Sequence, residues 1–183
     1  MDCAADPRDT LLLLLGLQDR LLARLGSAGT QVTQRARQLV LAATRAGVPV
    51  AVVHAAALGV LPRTLDDACR AAAATFSDAN DGPGVSHGVL AHLEASRRRR
   101  VVVAGAESHV GVFLAAREIH QDGFITLVPH DACASRRPAD HDAALHLCRQ
   151  AGVAVTTTET LLHEWLLPTH AEELHRLLQE TAA

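Results

Sequence analysis

A few side chains of the sequence could act as a nucleophile or as a general base. Ser108 and Cys133 could attack a carbonyl carbon, and His54 and Asp78 could accept the proton that the attack releases. Each also has a simpler interpretation. Ser108 lacks the Gly-x-Ser-x-Gly frame and can cap a helix, while Cys133 has no obvious activating partner and suits a small buried position. His54 fits the rim of a pocket and Asp78 an exposed turn, and these simpler roles are favoured.

Carboxylates and imidazoles are concentrated between residues 140 and 146. Asp142 and His146 are four residues apart and therefore share one face of a predicted helix. A zinc site needs at least three protein ligands, and no third ligand is evident. A solvent-exposed helix face is favoured over a metal site, and we predict neither a metal nor another cofactor.

The segment from Arg100 to Ala116 has the pattern of a strand, a tight turn and a helix. Apolar β-branched residues lead to Ala104-Gly105, and a helical pattern begins near Ser108. N–H groups at the start of a helix can stabilise an anion, so such turns often carry a nucleophile or an oxyanion hole. The residue at the head of the helix is Gly111, which has no side chain to react.

Apolar strands alternate with amphipathic helices along the chain. We predict strands at 11–17, 50–54, 100–104, 124–128 and 153–156, and helices at 30–46, 85–95, 110–121, 138–150, 158–166 and 169–178. This alternation predicts a three-layer, Rossmann-like α/β fold with a mainly parallel sheet of about six strands and helices on both faces. Ligands of such sheets bind at the carboxyl ends of the strands. No linker or repeat divides the sequence, so we expect a single domain over residues 1–183.

Composition excludes several classes of function. All 17 basic residues are Arg, so no mechanism that needs a lysine ammonium can operate on this chain alone. The net charge of −3 argues against nucleic-acid or anionic-membrane binding, and the longest apolar run is too short to span a bilayer. The four cysteines show no Cys-x-x-Cys spacing, which suits reduced thiols in the cytoplasm.

Four segments, in the right order, resemble the isochorismatase-like hydrolases, the superfamily that includes nicotinamidases and other cysteine amidohydrolases. They are LLLLLGLQDRLL from residue 11, AAAATFSDAN from residue 71, VVVAGAESHVGVFLAAREIHQDGF from residue 101, and the stretch from LVPHDACASRR at residue 127 to LLHEWL at 166. The resemblance covers about residues 10 to 167, and residues 168–183 form a C-terminal helix beyond it.

The resemblance implies a catalytic set that this sequence does not carry. In the family an Asp after the first strand is the base, a Lys stabilises charge, and a Cys attacks the substrate carbonyl. The corresponding positions here are Gly16, Ala73 and Gly111. If the alignment shifts by one residue, the Lys position becomes Ala72 or Ala74. Some vinyl-ether-cleaving isochorismatases have His-x-Gly at the Cys position, but that reaction still needs the Asp as a proton donor.

The resemblance also implies the surroundings of the pocket. A non-proline cis peptide before the family's Cys helps to form the oxyanion hole, and it corresponds to Ala106-Glu107. The predicted pocket residues are Gly16, Gln18, His54, Ala73, Phe76, Ser77, Ala106, Glu107 and Gly111. The family's metal-binding nicotinamidases have a His-rich segment after the second strand, which this sequence lacks.

Three hypotheses for function remain open. The favoured one is a family member inactive in the family chemistry, which keeps a small-molecule pocket or a role in oligomer assembly. The alternative is a hydrolase of a small amide, ester or vinyl ether that uses His54 or Asp78, and a third is a structural partner of an active paralogue. The family resemblance implies a homo-oligomer, to which apolar Leu161, Trp165 and Leu166 could contribute unless they lie in the core.

Overall fold

The computed structural model describes residues 4–70, 73–77, 85–167 and 169–179. Seven strands of the described residues form one parallel sheet, in the order β3-β2-β1-β4-β5-β7, with the short β6 paired to the end of β4. The strands are β1 (Thr10–Leu15), β2 (Val50–His54), β3 (Ala73–Ser77), β4 (Arg100–Ala106), β5 (Ile125–Pro129), β6 (Cys133–Ala134) and β7 (Ala154–Thr156). The α/β prediction is confirmed, and the seven strands agree with the expected number of about six.

Eight α-helices of the described residues surround the sheet. They are α1 (Asp19–Leu22), α2 (Ser27–Ala46), α3 (Arg63–Cys69), α4 (His87–Ser96), α5 (Phe113–Gln121), α6 (Pro138–Gln150), α7 (Thr158–Leu166) and α8 (Ala171–Gln179). α2 packs against α3, α7 and α8, whereas α5 packs against α6. In the described part of the chain, no helix is long and apolar enough to cross a bilayer.

The centre of the sheet explains the longest apolar runs. Every residue of β1 and β4 is buried, because neighbouring strands and helices cover both strands completely. The core is built from Leu, Val and Ala, and it also contains the single Trp of the sequence. Leu161, Trp165 and Leu166 are buried in this core, which confirms the core role considered for Trp165 and leaves none of the three exposed for an interface.

Two strands and two helices were not predicted from the sequence: β3, β6, the four-residue α1 and α3. β3 lies at the edge of the sheet and begins with two alanines, which have weak β propensity, and the two-residue β6 is too short to give a pattern. α3 lies in the weakly periodic stretch that follows β2. The predicted helix at 110–121 divides into a π-helical turn (Ser108–Val112) and α5.

The strand order places a crevice at the carboxyl ends of β1 and β4. The chain leaves β1 to form β2 and β3 on one side, and then crosses to form β4 on the other side of β1. In open parallel sheets, ligands bind where the strand order reverses in this way. Gly16 follows β1, and Glu107 follows β4, so both border this crevice.

Candidate functional site

Two of the predicted catalytic positions meet around one backbone carbonyl group. Gly16 has a φ of 63°, and a Cβ built on it would lie 3.0 Å from the carbonyl oxygen of Ala106. A Cβ built on Gly111 would lie 3.2 Å from the same oxygen. The structure therefore brings Gly16 and Gly111 together, but the space between them faces a hydrogen-bond acceptor.

All peptide bonds of the described residues are trans, including the bond that joins Ala106 to Glu107. The cis geometry implied by the resemblance is therefore absent. Glu107 instead adopts left-handed backbone angles (φ 54°, ψ 71°), and its carbonyl oxygen accepts the N–H groups of Val110 and Val112 at 3.0 and 3.4 Å. These bonds begin the π-helical turn, a feature that often accompanies functional sites.

Ala73 lies in a different part of the molecule. It is the first residue of β3 and pairs with Val50, the first residue of β2. There it lines a cavity of about 760 Å³ between β2, β3 and α3, together with His54, Thr75 and Cys69. Through Val50, Ala73 lies level with Leu12 of β1, four residues before Gly16, and two strands away from it.

The charged groups around this cavity are paired with each other or with the backbone. The Arg70 Nη2 atom is 2.6 Å from the Asp66 Oδ2 atom. The Asp19 Oδ1 atom accepts the N–H groups of Arg20 and Val60 at 2.7 and 3.2 Å. These contacts fix the wall of the cavity and leave His54 as a half-buried, titratable side chain that faces it.

The remaining predicted pocket residues are not all directed towards one site. Gln18 is fully buried, and its Nε2 atom donates to the Val53 carbonyl at 3.1 Å. The Phe76 ring packs against His92 on α4, with ring centroids 5.1 Å apart, and Ser77 is exposed. Asp78 and the alternative Lys position Ala72 lie outside the described residues.

Ser108 makes a contact that the sequence did not suggest. Its Oγ atom is 2.9 Å from the Nδ1 atom of His141 on α6, while Glu107 occupies the N-cap position of the π-helical turn. The predicted helix-capping role of Ser108 is therefore wrong. The side chain of Ser108 is only 2% exposed, so this hydroxyl joins the turn to α6 and is not open to a substrate.

His141 is shifted towards its neutral form. Burial lowers its pKa, an effect that the positive charge of nearby His130 reinforces and the carboxylate of Asp142 opposes. A neutral imidazole suits a fixed hydrogen bond to Ser108.

A second contact joins the turn to the segment after β6. The His109 Nδ1 atom lies 2.9 Å from the Ser135 Oγ atom and 3.5 Å from the Glu107 Oε2 atom. The Arg136 Nε atom lies 2.6 Å from the Glu107 Oε1 atom, which compensates the charge of a mostly buried carboxylate. The sequence placed Glu107 in the pocket, but only the fold reveals its contact with Arg136, which lies 29 residues further along the chain.

The two cysteines near the predicted site are poor nucleophiles. Burial raises the pKa of Cys133 to about 12 and that of Cys69 to about 11. Because the thiolate is the nucleophile, both residues are unreactive at neutral pH. In the described residues, no group of three or more His, Cys, Asp and Glu side chains is arranged to hold a metal ion.

Asp131, two residues before Cys133, has a structural role. Its Oδ1 atom accepts the backbone N–H and the hydroxyl of Thr158 at 2.7 and 3.1 Å, and its Oδ2 atom is 3.3 Å from the Arg35 Nε atom. The carboxylate thereby fixes the start of α7 and is not available to a ligand.

Comparison with known proteins identifies a related family. Residues 85–160 match the isochorismatase domain. The matched segment is less than half of the chain. Isochorismatase family proteins 2A and 2B of Dictyostelium discoideum are 34% and 37% identical to this chain over 68 residues. These alignments cover 37% of this chain and only 34% and 32% of the two relatives, so the similarity spans about a third of the relatives' length.

Solved structures extend the likeness to nearly the whole fold. The MAR1 ribonuclease from Caenorhabditis elegans superimposes with a TM-score of 0.85 at 21% identity, over 95% of this chain and 91% of that one. The YcaC gene product from Escherichia coli, an octameric hydrolase of unknown specificity, gives a TM-score of 0.84 at 19% identity, over 94% of this chain and 87% of that one. At these identities the likeness establishes the isochorismatase fold and leaves the activity open.

Proposed function

We propose that this isochorismatase-family protein is inactive in the family chemistry and retains a small-molecule cavity. The observation that carries the proposal is the position of the Ala106 carbonyl oxygen, 3.0 and 3.2 Å from where the first side-chain atoms of Gly16 and Gly111 would stand. An Asp at position 16 or a Cys at position 111 would bring its Cβ atom against this oxygen, so the crevice does not accept the family's side chains without a shift of the Ala106 backbone.

The described groups nearby do not replace the missing nucleophile. Cys133 and Cys69 are held as thiols by burial, and the hydroxyl of Ser108 is buried against His141. Enzymes that lose members of a catalytic set lose several powers of ten in rate. The absence of Asp, Lys and Cys at the three family positions therefore supports loss of activity.

The cavity beside His54 and Ala73 supports a binding role. Its volume of about 760 Å³ falls within the range of about 300–1,000 Å³ that is typical of small-molecule sites. Alanine instead of lysine at position 73 adds no charge to this wall, and the carboxylate of Asp66 is paired with the guanidinium of Arg70. A neutral ligand that hydrogen-bonds to His54 and Thr75 suits this lining better than an ion does.

The alternative is a hydrolase in which His54 acts as a general base on a bound water molecule. His54 is half-buried on the cavity wall, so a mechanism with His54 as the base is favoured over a mechanism with a cysteine nucleophile. Turnover of small amides, esters and vinyl ethers tests it directly, with nicotinamide, phenyl acetate and a vinyl ether as substrates. We expect no turnover above that of the His54→Ala variant. Turnover that His54→Ala abolishes, and that the exposed control His146→Ala retains, would overturn the proposal of inactivity.

Binding is tested separately from turnover. Ala73→Leu should narrow the cavity, while Ala74→Leu places the same side chain on the opposite face of the same strand. In saturation-transfer NMR with nicotinamide as a neutral probe, we expect a signal that Ala73→Leu weakens and Ala74→Leu preserves. Equal signals in both variants would remove the support for this cavity.

We also propose that the chain assembles with copies of itself, as the octameric YcaC gene product does. The buried Leu161 and Trp165 do not contribute to such a surface. Light scattering of the purified protein measures the mass, and a monomer at micromolar concentration would refute self-association.

A further inference from the structure

A second cavity lies at the carboxyl ends of β5 and β6, where α2 and α6 begin. Its volume is about 220 Å³, and all of its lining residues belong to the described part of the chain. Sites for drug-sized ligands measure about 300–1,000 Å³, so this cavity suits a smaller molecule. At about 30 Å³ for each water molecule of the liquid, it has room for about seven. It shares no lining residue with the cavity beside His54.

Much of the lining is aliphatic. Ala28 and Val32 come from the first two turns of α2, Ala134 from β6 and Pro138 from the start of α6. The thiol of Cys133 also borders the cavity, and burial raises its pKa to about 12, so it carries no charge at neutral pH. The body of a ligand in this space would therefore be a short hydrocarbon.

His141 brings a hydrogen-bond donor to the lining. Its Nδ1 atom lies 2.9 Å from the Ser108 Oγ atom. The Nε2 atom has no hydrogen-bond partner among the described residues and remains accessible to water. When the Ser108 hydroxyl donates to Nδ1, the neutral ring carries its hydrogen on Nε2. The contact with Ser108 thus holds the ring and leaves an N–H group for a ligand.

His130 and Gln31 add two further polar side chains. Both line the cavity and are exposed, and neither makes a hydrogen bond or an ion pair with the described residues. His130 lies near enough to His141 for its positive charge to oppose protonation of the second ring. A negatively charged group between the two rings removes this repulsion, and a bound anion therefore favours their cationic forms.

The carboxylate in the lining is already occupied. The Asp131 Oδ1 atom accepts the backbone N–H and the hydroxyl of Thr158, and its Oδ2 atom lies 3.3 Å from the Arg35 Nε atom. The other carboxylate that acts on His141 belongs to Asp142, which does not line the cavity. The charge of Asp131 is therefore compensated, and the groups left for a ligand are mainly donors.

We propose that this cavity binds a small aliphatic carboxylate. One carboxylate oxygen accepts the Nε2–H group of His141, and the other accepts from the Gln31 amide or the His130 ring. The hydrocarbon part lies against Ala28 and Val32. The inference goes beyond the proposed function, because it concerns a separate cavity and a ligand of opposite character, an anion instead of a neutral molecule.

Isobutyrate is a suitable probe, since it combines a short branched hydrocarbon with a carboxylate. We expect saturable shifts of the His130 and His141 ring resonances in NMR spectra at neutral pH, with a dissociation constant of roughly millimolar order for so small a ligand. Isobutyramide has nearly the same shape without the charge. It should bind roughly tenfold more weakly, because hydrogen bonds to an ionised acceptor are about twice as strong as neutral ones. Sodium chloride at equal ionic strength controls for screening.

Substitution of the exposed donors tests the site without disturbing the core. His130→Ala and Gln31→Ala should each weaken isobutyrate binding roughly twofold to tenfold, the value of one hydrogen bond. His146→Ala removes an exposed imidazole of α6 that does not line the cavity, and it should leave the affinity unchanged. Neither removed side chain has a partner among the described residues, so urea denaturation should show nearly unchanged stability.

A cavity-filling pair separates this cavity from binding elsewhere on the surface. Ala28→Leu places a larger side chain in the wall and should abolish the saturable shifts. Ala143→Leu, the same change at an exposed position of α6, should preserve them.

Several results would overturn the inference. They are the absence of saturable shifts at tens of millimolar isobutyrate, equal affinity for isobutyramide, and equal shifts with sodium chloride. Unchanged affinity in both His130→Ala and Gln31→Ala would overturn it as well. None of these results bears on the turnover and binding tests at His54, which use a different cavity and neutral probes.

Discussion

The backbone at Gly16 should tolerate no side chain. Gly16→Ala places a Cβ atom on a residue with a φ of 63° and within 3.0 Å of the Ala106 carbonyl oxygen. A left-handed conformation costs a non-glycine residue about 1–2 kcal/mol. Forcing an extra methyl group into a packed site adds about 1–3 kcal/mol. We therefore expect Gly16→Ala to lower the free energy of unfolding by about 2–5 kcal/mol.

Two other glycines separate the conformational cost from the steric cost. Gly47, after α2, has a φ of 72°, and a Cβ built on it meets no atom within 4 Å, so Gly47→Ala should cost only about 1–2 kcal/mol. Gly111 has no positive φ, and its Cβ would meet the Ala106 oxygen at 3.2 Å. Alanine reduces the backbone freedom of the unfolded chain, and this gain offsets part of the steric cost of that contact. We therefore expect Gly111→Ala to change the free energy of unfolding by less than about 1 kcal/mol.

Urea denaturation of the three variants tests this order, provided that the m-values agree. A cost for Gly16→Ala that does not exceed that of Gly47→Ala would refute the steric argument at the crevice. If the order holds, restoring the family's Asp and Cys through Gly16→Asp and Gly111→Cys requires a shift of the Ala106 backbone. These substitutions should then yield a destabilised protein without amidase activity.

Four further predictions concern stability. Asp131→Ala should cost about 3 kcal/mol in urea denaturation, since it removes the acceptor of the first N–H group of α7 and the carboxylate that lies 3.3 Å from the Arg35 guanidinium. The half-exposed control Asp66→Ala should cost below about 1 kcal/mol. Burial raises the pKa of Cys133 in the folded state, so the free energy of unfolding should fall as pH rises above about 8.5. Cys133→Ala should make this dependence on pH less steep, and an unchanged dependence would contradict the prediction. Burial lowers the pKa of His141, so stability should fall as pH drops below about 6.5, where the unfolded chain gains the proton first. Ser108→Ala should cost about 1 kcal/mol at pH 7 and shift the His141 ring resonances in NMR spectra, and unchanged resonances would contradict the contact.

The sequence was most informative where local pattern and burial agree. The run that becomes β1 and the helix at 138–150 were predicted closely, because a fully buried parallel strand is continuously apolar and a helix is periodic. The edge strand β3 was missed, because alanines carry little strand signal when one side of the strand is unpaired. The π-helical turn was missed because its start depends on the backbone angles of Glu107.

For the candidate site, the sequence by itself determined which groups are absent. It shows glycine at 16 and 111, alanine at 73 and no lysine anywhere, and these facts need no coordinates. Side-chain identity is a local property, and the α/β alternation follows from local pattern as well.

Only the tertiary structure decided which residues meet. It separates Ala73 from the crevice, pairs Ser108 with His141, and places the Ala106 carbonyl oxygen against both glycines. Distances between residues far apart in the chain depend on strand order and on the conformation of single peptides. Neither composition nor spacing along the chain encodes these distances directly. The missing side chains at Gly16 and Gly111 could therefore be read from the sequence, but the Ala106 carbonyl oxygen that lies against both positions could not.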